Sequence, residues 1–184
     1  MLLRHSKEFN KISLSDQTEL LESNLMTITL LSIFEAYNSS THTVLWKLTE
    51  QDFNFLAKEG IKVPHGRVVF SLSDALNKVD TDLTDDLTKL FNFFDYFSQI
   101  GLPRPSLYLL LLVVVFNQDC VDVKNKEDVE STRKYFLFSL FESLVASEGV
   151  LGACSIAARL HTALNDLNRI AHILGQKFID VEES

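Results

Sequence analysis

Eleven residues separate His161 from His172. On a helix that spacing puts both imidazoles on one face but about 16 Å apart, too far to hold one metal ion. Surface or dimer-seam histidines are the expectation. The acids Asp80, Asp82, Asp85 and Asp86 have the density of a calcium loop. An EF-hand loop needs glycine at its sixth position and glutamate at its twelfth, where this chain has Asp85 and Phe91. A solvated, acid-rich helix N-terminus accounts for them instead. The two cysteines, Cys120 and Cys154, can form at most one disulfide. They exclude a four-cysteine zinc site and point to a reducing compartment rather than a secreted scaffold. Cys154, among Ala153, Ser155 and Ala157, reads as a small packed helix residue. The sequence has no glycine-rich phosphate loop and no nucleophile elbow. The chain therefore reads as a non-enzyme with no cofactor and no metal.

The other conspicuous residue type is phenylalanine: fourteen Phe in 184 residues, against one Trp. So much aromatic surface needs an interior, a ligand cavity or a partner to cover it. At 46% apolar and 23% charged, the balance is that of a globular domain. The formal charge of −8 and an isoelectric point near 5.1 disfavour direct DNA binding. The longest uninterrupted apolar run, residues 107–116, has ten residues. Crossing a bilayer takes about 20, so a soluble chain with a buried helix is expected. Residues 1–10 lack the apolar core of a signal peptide.

These residues must be positioned mostly by helices. Ser13 or Ser15 suits an N-cap, and Leu20, Leu21, Met26, Ile28, Leu30, Leu31 and Phe34 continue a mostly buried helix to about Tyr37, stopped by Asn38-Ser39-Ser40. The β-prone residues 43–46 and 67–70 follow, with a capped helical turn over 49–58 between them, stopped by Gly60. A small β-turn region is expected there. Leu83, Leu87, Leu90, Phe91, Phe94 and Phe97 then keep helical spacing until Gly101 and Pro103. Pro105-Ser106 opens the next helix, to Asn117. Asn125 with Asp128 resembles a cap for a helix carrying Val129, Phe136, Leu140, Phe141 and Leu144. The last helix bears a long stripe: Ile156, Leu160, Leu164, Leu167, Ile170, Leu174 and Phe178.

Phe9, then Ile12 and Leu14, then Asp16-Gln17, then Leu20-Leu21 resembles the signature of nuclear-receptor ligand-binding domains, with Ile12 standing for a leucine. Residues 107–119, ending Val115-Phe116-Asn117-Gln118-Asp119, resemble that family's eighth helix. Leu164, Leu167 and Ile170 resemble its long tenth–eleventh helix. The resemblance implies an all-α fold of nuclear-receptor type: one domain over residues 1–184, an antiparallel helical sandwich in three layers with a small β-turn region, incomplete at both ends. The family's DNA-binding module, its first helices and its activation helix have no counterpart, Val181-Glu182-Glu183 being the nearest to the last. Thr27 and Glu35 replace an acid and an arginine of the family's central helix.

Among the signature residues, Asp16 suits the first turn of a helix, Gln17 can satisfy backbone groups of the preceding loop, and Phe9, Ile12 and Leu14 wedge that loop against the next helix. The resemblance implies a co-regulator groove formed by Arg4, Gln17, Thr18, Leu21 and Glu22, with Arg4 as a basic clamp. It implies a lipophilic-ligand pocket at Leu25, Ile28, Leu31, Phe91 and Phe94, although Phe91, Phe93, Phe94 and Phe97 read first as ordinary core. It implies a dimer helix at Leu160, Leu164, Leu167, Ile170 and Leu174. Co-repressor or co-activator helices, another nuclear receptor and a lipophilic ligand would be the partners of a nuclear transcriptional regulator, repressive or dominant-negative. The alternative is a lipid or small-molecule carrier with an aromatic interior.

Overall fold

The computed structural model of the chain describes residues 7–47, 58, 67–71, 73, 81–118 and 122–182. In chain order the elements are α1 (Lys7–Lys11), α2 (Leu14–Ser23), α3 (Leu25–Glu35), β1 (Tyr37–Asn38), β2 (Thr43–Lys47), β3 (Arg67–Ser71), α4 (Thr81–Ser98), α5 (Arg104–Val115) and α6 (Lys126–Glu182). The fold is mostly helical with a small three-stranded sheet. Contacts gather into two compact units, one of Met1–Thr29 with Ile100–Ser184, the other of Leu30–Gln99.

In the first unit, local chemistry sets the helix ends. The Ser13 hydroxyl caps α2 by accepting the Asp16 N–H at 3.1 Å. Asn24 joins α2 to α3 in a near-helical conformation, and its buried amide donates to the Leu20 carbonyl at 2.9 Å and the Asn117 carbonyl at 3.1 Å. The Asn125 side chain caps α6 by accepting the Asp128 N–H at 3.3 Å. Within α6, Gly149 has φ 71° and ψ 173° and divides the helix into arms 126–148 and 150–182. That conformation is open almost only to glycine.

α5 packs on α6. The interior of the unit includes Leu110, Val115, Phe116, Val129, Leu144 and Leu167, all nearly inaccessible. The Phe116 ring meets Phe9 edge-on at 5.9 Å and Phe136 at 5.5 Å.

The residues expected to form a dimer helix take part in this packing. Leu160, Leu167, Ile170 and Leu174 are buried within the single chain, and Leu164 is half-buried. An apolar stripe at helical spacing looks the same whether its partner is another chain or its own. The opposite face of that arm exposes His161, His172 and also Cys154, which is a surface thiol rather than a packed one. Its buried neighbour is Ala153. Within Lys126–Lys177 lies a window long and apolar enough, by length and composition alone, to cross a membrane, with a mean hydropathy of 1.4 and 22% of it buried. Counting only uninterrupted apolar runs overlooked it, because glutamates punctuate this stretch.

In the second unit β2 pairs antiparallel with β1 and β3, in register Tyr37↔Val44 and Val44↔Phe70. The helix expected to reach Tyr37 stops at Glu35. The Ala36 carbonyl instead accepts the Leu45 N–H at 2.9 Å, and Tyr37–Asn38 join the sheet. Behind the sheet residues, α4 supplies the aromatic interior. Phe34 meets Phe97 edge-on at 4.7 Å and Phe94 at 5.7 Å, and Tyr37 meets Phe94 at 5.2 Å. Phe91, Phe93, Phe94 and Phe97 are thus core residues. Asp86 is also buried, with Lys89 at 3.1 Å, so the acid-rich start of α4 is only partly solvated. The turn expected over 49–58 with Gly60, apart from Lys58, along with Asp80, Asp119, Cys120, Glu183 and the side chains of Asp82, Phe178, Val181 and Glu182, lies outside the described residues.

Candidate protein-interaction site

Asp16 and Gln17 each make several side-chain hydrogen bonds in the first unit. Asp16 is 1% exposed. One carboxylate oxygen accepts the Lys124 N–H at 2.8 Å and the other the Asn125 N–H at 3.3 Å. A carboxylate that collects backbone donors is favoured in its charged form. The Lys124 N–H is the largest cause holding the Asp16 carboxyl below its ordinary range. The Ser13 and Asn125 hydrogen bonds add to it and burial opposes it. The Gln17 amide donates to the Phe9 carbonyl at 3.0 Å and the Ile12 carbonyl at 2.8 Å. This is the loop-satisfying role expected of it. Phe9 and Ile12 are both 5% exposed. The segment from Phe9 to Ile12 is thus held by two buried apolar side chains and by the two Gln17 hydrogen bonds.

Leu14 departs from expectation. It is 79% exposed and wedges no loop, because Ser13 already starts the helix and Leu14 falls on its outer side. With Thr18, Leu21 and Leu25 it is spaced four, three and four residues apart along α2 and into α3, so the set shares one face. Leu25 is 60% exposed, Leu21 half-buried, and Thr18 and Glu22 exposed. The Thr18 hydroxyl donates to the Leu14 carbonyl at 3.0 Å, which leaves its methyl group for contacts. The neighbouring Leu20 turns the other way, to 0% exposure.

The structure therefore brings Thr18, Leu21 and Glu22 onto one surface, with Gln17 supporting the loop beside it. Arg4 lies outside the described residues. Of the residues expected to line a ligand pocket, Leu31, Phe91 and Phe94 are closely packed in the second unit, Ile28 is half-buried, and Leu25 belongs to the surface. Sequence reasoning missed the reach of Asp16 to a loop 108 residues away. Its partners are backbone N–H groups, which leave no trace in side-chain identity. It also missed Leu14 and Leu25 as surface residues; their spacing with Thr18 and Leu21 is the signal that could have found them.

No protein-family model matches this chain, and no curated protein is significantly similar to it.

Proposed function

We propose that the chain is a helix-docking module of the nuclear-receptor ligand-binding-domain kind, which receives a co-regulator's amphipathic helix on the outward face of α2 and the start of α3. Its effect on transcription is exerted through that partner. The reading rests on one observation: the buried Asp16–Gln17 arrangement holds a helix whose outer face carries Leu14, Thr18, Leu21 and Leu25, with Glu22 beside them. Lone exposed leucines are ordinary on protein surfaces. A leucine row at helical spacing with an acid at its edge is what helix-in-groove recognition uses, since an apolar floor supplies affinity and a charge orients the peptide dipole. Pinning the loop in advance lowers the ordering cost of binding.

Fluorescence polarisation with labelled Leu-x-x-Leu-Leu and co-repressor-type peptides tests this. Leu21→Arg and Leu25→Glu are each expected to weaken binding of at least one peptide by about tenfold or more, the scale of an interface anchor. Equal affinity in wild type and both variants, or no binding of either peptide, contradicts the proposal.

A further inference from the structure

The second unit holds a cluster of different chemistry. A cleft of about 360 Å³ is lined by Thr41, His42, Ser71, Ser73, Phe91, Asn92 and Asp95, at the small end of ligand-pocket sizes. Tyr37 donates its phenol proton to Asp95 Oδ1 at 2.6 Å. The His42 Nδ1 lies 3.2 Å from Asp95 Oδ2 and 3.0 Å from the Tyr37 hydroxyl. Because the phenol proton is committed to the carboxylate, Nδ1 is assigned as the protonated nitrogen, donating to the other carboxylate oxygen. His42 reaches this position from a left-handed backbone conformation, φ 48°, which an L-residue adopts only at some cost.

We propose that this cleft binds a small organic cation, an ammonium group held by Asp95 beside His42 and Tyr37. Three observations carry the proposal. Among the described lining residues Asp95 is the one carboxylate, and its side chain keeps 29% exposure, so it can accept a further donor. Among the described lining residues none is a lysine or arginine; beside the His42 imidazole they present the hydroxyls of Thr41, Ser71 and Ser73 and the Asn92 amide, which suit an ammonium. The titratable groups facing His42 are Asp95 and Tyr37 alone among those described. Burial first, and then the hydrogen bond to Asp95, hold the Tyr37 phenol well above its ordinary range, so it stays neutral.

Following the His42 ring signals by NMR while titrating n-butylammonium into the full chain tests this, with n-butanol as the uncharged control. Saturable binding on the order of millimolar is expected near pH 8. Asp95→Asn abolishes it. His42→Asn, a residue that tolerates the left-handed conformation, retains binding, read from Asn92 shifts. No saturable binding near pH 8, unchanged affinity in a folded Asp95→Asn, or butanol binding as well as the ammonium overturns the proposal. Should Asp95→Asn fail to fold by circular dichroism, the His42→Asn and butanol arms decide.

Discussion

Asp16 ties the start of α2 to a loop 108 residues further on, and its charge state should be visible in stability. With its folded-state value held below the ordinary 3.8, its contribution is complete above that pH and is lost as pH falls through the lower folded value. Thermal melts at falling pH should therefore bring wild type and Asp16→Asn closer together below about pH 4. A constant gap across that range contradicts the assignment. Gln17→Ala leaves the Phe9 and Ile12 carbonyls without their side-chain donor. It should cost about 1–3 kcal/mol by urea denaturation, whereas a loss below a few tenths would mean water replaces the amide freely. Gln17 was legible because its role is local: glutamine just inside a capped helix reaches back over a short loop. Asp16 was legible only as a first-turn acid.

At the scale of elements, the stripe on the second arm of α6 should behave as interior. Leu167, at 0% exposure, should cost about 2–5 kcal/mol when replaced by alanine. Leu167→Arg should prevent folding rather than leave a folded monomer. A well-folded Leu167→Arg chain by circular dichroism would restore the stripe to the role of a dimer seam. Gly149 is a second test. A Cβ there meets open space, so a purely steric view expects Gly149→Ala to be harmless or helix-favouring. The backbone at φ 71° and ψ 173° instead predicts a loss of about 1–3 kcal/mol in denaturant unfolding; unchanged or higher stability contradicts a fixed break. Helix positions were legible from periodicity, because the spacing of Leu90, Phe94 and Phe97 survives in α4. What each stripe covers was not, since periodicity identifies an apolar face without identifying its partner. The early end of α3 was hidden too, because Tyr37 is spent on Asp95, 58 residues further on, and on pairing with Val44.

At the scale of the molecule, a mostly helical chain with a small β region was legible from turn residues and spacing. Its division into two compact units was not, since no linker composition marks Thr29 or Gln99. The candidate site was half legible: Thr18, Leu21 and Glu22 were named from the sequence and lie on one side of α2, while Leu14 and Leu25 enter only once exposure is known. The most direct test is a ¹⁵N–¹H NMR titration of the full chain with an amphipathic leucine-rich peptide. Docking on this face predicts progressive shifts at Thr18, Leu21, Glu22 and Leu25, with the Gln17 side-chain amide following. Shifts confined to residues away from α2 and the start of α3, or none at saturating peptide, would contradict it.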